Sequence, residues 1–142
     1  MPKNNPYEII FEEAVAYTTG SDMDMIEMAR KGVSKKSLLN LSKLGSIPVK
    51  KLSELLPVSE RTIQRYKNHE KFNSDVSEHL ILIAKVLFRA EEVFENKNKM
   101  QNWLQTPLLG FGQKTPLSLL DTSFGAQLLM DELGRLEQGV YS

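Results

Sequence analysis

The chain has 142 residues, enough for one or two small domains with a real core, and its 41% hydrophobic and 25% charged residues are ordinary for a globular protein. It has no cysteine and two histidines ten positions apart, which excludes disulfides and zinc–thiolate sites. No apolar run reaches the length of a membrane span and no signal-peptide pattern opens the chain, so the expectation is a cytoplasmic protein with no membrane partner. The net charge of zero conceals a polarity. Residues 1–29 sum to −5, residues 30–71 to +8, residues 72–99 to −1 and residues 100–142 to −2. Eight excess positive charges in one stretch are the footprint of a phosphate-binding surface.

In chain order, nearly every segment predicts helix. Pro6 suits a first helical turn, and Ile9, Ile10, Ala14 and Tyr17 follow at roughly helical spacing up to the break at residues 18–20. Ser21 is placed to cap a second helix, with Asp24 three residues on and Met23, Ile26 and Ala29 as its inward positions, until Gly32 stops it. Ser34 or Lys35 opens a third, with Leu38, Leu39, Leu41 and Leu44 inward and Gly45 as its stop. A short helix over residues 49–55 precedes a turn at Pro57-Val58, and Ser59 caps the next, expected to reach about residue 68. Ser77 is expected to begin a long helix carrying Leu80, Ile83, Ala84, Leu87, Phe88, Ala90, Val93 and Phe94 at spacings of three and four. Residues 96–99 are the expected joint. Beyond it come a turn or two of helix over residues 100–106, a loop to Gly112, a short helix from Pro116, and a last helix capped by Thr122 or Ser123 that runs to about Gln138. No segment alternates as a strand would. The predicted class is all-α, divided into a helical extension (1–29), a DNA-binding domain with a connecting helix (30–95) and a small helical domain (100–142).

Residues 49–68 have the make-up of a helix-turn-helix. The positioning helix has an apolar face of Val49, Leu52, Leu55 and Leu56, Val58 plugs the turn, and Ile63 and Tyr66 anchor the second helix. The outward positions of such a second helix meet base edges in the major groove. Arg61, Thr62 and Arg65 are the expected readers, since Arg pairs with guanine and Thr offers a hydroxyl or a methyl contact. Lys50, Lys51, Ser59 and Lys67 are expected on phosphates, where they position without reading sequence.

The segment from Trp103 to Leu136 holds more apolar side chains than some forty residues can bury alone, which points to packing on the long helix and to a partner. Its glycines do not form a phosphate loop, because no strand precedes them and no Lys-Ser/Thr follows. Asp121, Asp131, Glu132 and Glu137 fall on scattered helix faces. No Ser–His–Asp or Cys–His set is available, so neither an active site nor a cofactor is expected.

Together these motifs resemble the Xre/MbcA/ParS antitoxins, the DNA-binding partners of RES-domain toxins. The resemblance spans residues 32–140. It rests on Gly32-Val33-Ser34, Ser59-Glu-Arg-Thr-Ile-Gln-Arg-Tyr66 and, more specifically, on Trp103-Leu104, Leu109-Gly110, Thr115-Pro116-Leu117, Leu119-Leu120-Asp121-Thr122, Gly125 and Leu133-Gly134-Arg135-Leu136-Glu137-Gln-Gly139. It implies an Xre-like helix-turn-helix followed by a toxin-binding domain. The implied function is that of an antitoxin of a type II system, which neutralises a RES-type NAD-consuming toxin and represses its own operon. The implied partners are that toxin and operator DNA, in a homodimer or a larger assembly with toxin. In this picture the extreme C-terminus reaches the toxin's active-site entrance, which makes Arg135, Glu137, Gly139, Val140, Tyr141 and Ser142 the expected toxin-binding residues. The competing reading is a stand-alone helix-turn-helix regulator whose C-terminal domain only dimerises.

Overall fold

A computed structural model describes residues 6–11 and 22–139. The expectations for Ala14, Tyr17, the cap at Ser21 and the tail residues Val140, Tyr141 and Ser142 lie outside the described residues. The elements are α1 (Pro6–Phe11), α2 (Asp22–Lys31), α3 (Lys35–Gly45), α4 (Val49–Leu55), α5 (Glu60–Arg65), α6 (Ser74–Phe94), α7 (Lys97–Leu104) and α8 (Ser123–Glu137), with 3-10 turns at Leu109–Phe111 and Leu117–Leu119. Two isolated antiparallel bridges, Ser34 with Lys71 and Leu108 with Lys114, complete the regular structure among the described residues.

The 21-residue α6 is the spine of the fold. Leu80, Ile83, Ala84, Val86, Leu87 and Ala90 are fully buried, on more than one face of the helix. α2, α3, α7 and α8 all pack on it, and α7 also meets α3. A surface helix would need only one apolar stripe; this one has neighbours on several sides and is apolar over most of its circumference. α1 is held by the Asn40 side-chain amide, which donates to the Ile10 carbonyl at 2.9 Å, and by Tyr7 meeting Phe88 edge-on at 4.6 Å. Burial, with Glu92 adding to it, pushes the Tyr7 phenol up to about 12.

Three local expectations need correction. α6 begins at Ser74 and not at Ser77, because Asn73 caps it by accepting from Val76 N at 2.9 Å. Ser77 is instead fully buried one turn in. Its Oγ accepts from Val33 N at 2.9 Å and donates to the Phe72 carbonyl at 3.2 Å, which closes the corner between α2 and α3 against the start of α6. Gly32 lies in that corner at φ 89°, and a Cβ on it would meet the Phe72 carbonyl oxygen at 2.7 Å.

The second correction is the phase of α2. Met23 and Ile26 are 68% and 42% exposed, whereas Met28 and Ala29 are buried against α6 and Met25 is half-buried. Ala29 is inward as expected, but the large side chains that meet the core are those of Met28 and Met25 instead of Met23 and Ile26. The third concerns Gly45. The left-handed residue that ends α3 is Ser46, at φ 55°. Gly45 is buried because a Cβ would meet Ile47 and Leu87 side-chain atoms at 2.7–2.9 Å, so its role is close packing.

The expected joint also narrows. α6 ends at Phe94 with Glu95 left-handed, and Asn96 already caps α7 by accepting from Lys99 N at 2.9 Å. α7 is tied back to α3 by the Gln101 amide, which donates to the Leu44 carbonyl at 2.9 Å, and its Trp103 packs on Phe94 at 5.7 Å.

Candidate functional site

The basic surface is built around α4 and α5. α4 buries Leu52, Leu55 and Leu56, with Val49 and Val58 half-buried beside them. α5 is fixed by one apolar anchor, the buried Ile63, and by its cap. Ser59 Oγ accepts from Thr62 N at 3.1 Å and donates to Thr62 Oγ1 at 2.9 Å, so the hydroxyl expected on a phosphate also holds the start of the helix. Arg61, Gln64 and Arg65 are exposed and Thr62 is half-exposed. α5 therefore presents the three expected readers along a helix whose other side is anchored by Ile63.

The second helix is shorter than expected. It ends at Arg65, not near residue 68, because Tyr66 turns to extended backbone at ψ 142° and stacks on Phe72 at 4.6 Å. The Tyr66 carbonyl accepts from Lys35 Nζ at 2.9 Å, and Glu70 Oε1 accepts from Lys67 N at 2.6 Å. Lys67 thus sits on the turn that follows the helix. Lys50 and Lys51 are exposed on α4, with Lys51 paired to Glu54 at 3.5 Å. Both partners are more than half exposed, so the pair contributes about 0–1 kcal/mol and leaves the lysine free to exchange it for a phosphate.

Sequence spacing missed one part of this surface. Lys36 N donates to the Asn68 carbonyl at 2.9 Å and Lys35 N to the Glu70 carbonyl at 3.0 Å. These bonds set the start of α3 beside the end of α5, and bring Lys35 and Lys36 to the basic face from some thirty residues away. The excess charge of residues 30–71 was the one signal that could have included them.

The C-terminal half is organised by α8. Thr122 caps it by accepting from Gly125 N at 3.1 Å, and Ala126, Leu129 and Leu133 are buried, as are Leu117 and Leu120 of the preceding turn. Each buried leucine contributes about 1.5–3 kcal/mol. The helix expected from Pro116 is a single 3-10 turn, and the loop before Gly112 contains another. Gly125 makes this packing possible: a Cβ there would come within 1.8 Å of the Leu119 carbonyl oxygen. His79 Nε2 donates to the Asp121 carbonyl at 2.9 Å and fastens the same corner to α6.

Two expected toxin-binding residues do not pair with each other. Arg135 bonds Glu132 at 2.8 Å, one turn earlier. Glu137 takes a two-pronged contact from Arg89 of α6, with Nη1 at 3.0 Å and Nη2 at 2.5 Å. The hydrogen bonds from Arg89 hold the Glu137 carboxyl below the ordinary glutamate range, and the same contact raises Arg89. Glu137 thereby locks the end of α8 to α6, and Gly139 follows at φ 69°. Asp131 is bonded to Gln127, so the carboxylates of this region are dispersed, and no group of three or more metal-ligating side chains occurs among the described residues. No helix among the described residues is long and apolar enough to cross a membrane.

The apolar surplus divides as the sequence implied. Trp103, Leu104, Leu117, Leu120, Leu129 and Leu133 are buried, and Leu109, Phe124 and Leu128 are exposed. Intramolecular packing buries the first group and leaves the second in water.

Comparison with known proteins follows the same division. Residues 24–85 match the antitoxin Xre-like helix-turn-helix domain, and residues 89–139 match the antitoxin Xre/MbcA/ParS C-terminal toxin-binding domain. An "Antitoxin Xre" of Yersinia enterocolitica is 30% identical over 120 residues, which cover 83% of this chain and 81% of the relative. An "Antitoxin Xre" of Photorhabdus laumondii is 35% identical over 80 residues, 56% of this chain and 54% of the relative. A helix-turn-helix with a basic outer face, a C-terminal helical domain that leaves apolar groups uncovered, and these two matches end to end lead to one conclusion: the chain belongs to the Xre/MbcA/ParS antitoxin family, with a DNA-binding module followed by a toxin-binding domain.

Proposed function

We propose that the chain neutralises a RES-type, NAD-consuming toxin and represses the operon that encodes the pair, acting in the cytoplasm where both targets are. The observation that carries this reading is the coupling of the two modules through α6. α6 packs against α2 and α3 of the DNA-binding module and against α7 and α8 of the C-terminal domain, so the DNA and toxin sites are borne on a single helix. In repression, Arg61, Thr62 and Arg65 read bases, while Lys50, Lys51 and Lys67, with Ser59 at the helix start, lie along phosphates. One six-residue helix covers few base pairs. Tight operator binding therefore uses two copies on half-sites roughly 34 Å apart, about one turn of DNA. In neutralisation, residues 139–142 enter the toxin's active-site cleft, with Val140 and Tyr141 on its apolar wall. Arg135 and Glu137 set the direction of the tail, Glu137 through its contact with Arg89.

Co-expression with the product of the adjoining gene tests this. The expected results are a co-purifying complex, NAD preserved in cells that otherwise lose it, and a gel shift on the operon's own upstream DNA. An adjoining product that does not deplete NAD would reject the RES assignment. A gel shift absent on upstream DNA would reject autorepression.

A further inference from the structure

Phe124 is 84% exposed, four residues from Leu128 at 48%. Positions four apart lie one above the other on a helix, so the two side chains form a single ridge on the first two turns of α8. Nothing in the fold allows them to retreat. Gly125, next to Phe124, has its α-carbon against the Leu119 carbonyl, Ala126 and Leu129 are buried on the inner side, and Thr122 and the His79–Asp121 bond fix the start of the helix. Rotating α8 enough to bury Phe124 would drive Gly125 or Ala126 out of that contact. An aromatic ring held in water by a locked helix start is a preorganised anchor, and a pocket that accepts it incurs little ordering entropy.

We infer that the Phe124–Leu128 ridge is the docking anchor for the toxin, a site distinct from the tail, and that its partner surface is an apolar cleft. The inference rests on the antitoxin reading. The ridge lies inside the segment that matches a toxin-binding domain. A second copy of this chain is the poorer occupant. Antiparallel pairing that sets Phe124 on Leu128 of another copy also brings Asp131 toward the turn that carries Asp121, and both aspartates are exposed. Like charges would then flank the apolar contact, which opposes self-pairing. The ridge and Gly139 occupy opposite ends of a 15-residue helix, separated by about 20 Å at 1.5 Å per residue. Docking is therefore two-point: the ridge supplies affinity, and the tail supplies occlusion.

The test uses the full chain and the purified product of the adjoining gene, with affinity measured by calorimetry. The paired change Phe124→Ser and Leu128→Gln should weaken binding by roughly fifty-fold or more, the scale of a lost interface hot spot. It should leave the melting temperature, the gel shift on upstream DNA and the sedimentation of the free chain as they are in the wild type. Leu128→Arg alone, in mid-helix where arginine is well tolerated, should give a smaller loss in the same direction. Deleting residues 139–142 should weaken binding less than the paired change while abolishing protection of NAD. Binding within threefold of wild type in the paired variant overturns the proposal, as does a change in sedimentation of the free chain, which would assign the ridge to self-association. If the wild-type chain itself fails to bind the adjoining product, the toxin assignment falls and this proposal falls with it.

Discussion

The two halves of this molecule prepare for their partners in opposite ways. From Val33 to Ile63 every leucine, isoleucine and valine is buried or half-buried, and the exposed residues are mostly lysine, arginine and serine, with Glu54 and two prolines. From Leu108 to Leu136 the core is as tightly filled at Leu117, Leu120, Leu129 and Leu133, yet Leu109, Phe124 and Leu128 remain outside. The stretch from Val33 to Ile63 buries its aliphatic side chains and offers mainly charge, which suits a polyanion that is never buried. The second leaves apolar surface unsatisfied, which suits a protein partner able to supply the missing walls. One scaffold helix serves both, so the difference lies in the outward residues and not in the manner of packing.

The strongest test of this contrast is Gly125→Ala. By helix propensity alone the change would stabilise α8 by up to about 1 kcal/mol. Contact with the Leu119 carbonyl reverses the sign, and roughly 3 kcal/mol or more of destabilisation is expected from a backbone clash that has no room to relax. Thermal melting should show it, with toxin affinity lost as the ridge becomes unseated. A melting temperature at or above wild type would mean that the start of α8 is not locked.

Next in size, Arg61→Ala and Arg65→Ala should each lower affinity for the preferred operator by about 1–3 kcal/mol while leaving toxin binding unchanged. Lys50→Ala should instead weaken all DNA sequences alike and flatten the salt dependence. Gel-shift titrations at two salt concentrations separate the cases, and unchanged operator affinity in both arginine variants would remove α5 as the reader.

Ser77→Ala tests whether the DNA-binding half is as closed as it looks. It strands the buried Val33 N–H, at a cost of about 1–3 kcal/mol by chemical denaturation. Unfolding at wild-type denaturant would show that another group takes up the N–H.

The smallest effect belongs to the Arg89–Glu137 contact. Its carboxyl is lowered in the folded state, so its stabilisation is present at neutral pH and is lost as pH falls. The difference in melting temperature between wild type and Glu137→Gln should begin to shrink below about pH 4.3, the free glutamate value, and vanish under the lowered folded value. A difference that persists unchanged in acid would show that the ion pair is not its source.

The helices were legible wherever a cap and a stop bracketed an apolar stripe. Ser34, Ser59 and Thr122 cap as expected, and α4 occupies its expected span. Two kinds of feature were not legible. One was phase: the stripe of Met23 and Ile26 is as periodic as that of Met25 and Met28, and only the position of α6 chooses between them. The other was long-range contact. The pairing of Glu137 with Arg89, forty-eight residues away, cannot be told from a local pairing with Arg135 by spacing.

The sequence by itself determined the all-helical class and the basic stretch, because periodicity, capping residues and charge are local properties that survive without a fold; the identity of the two modules came from the resemblance of their motifs to a known family. Tertiary structure decided which face of each helix meets the core, why Gly125 must lack a side chain, and which three large apolar groups of the C-terminal half stay in water. Those outcomes depend on how closely two backbones approach and on how many neighbours α6 can cover, quantities that exist only once the helices have packed.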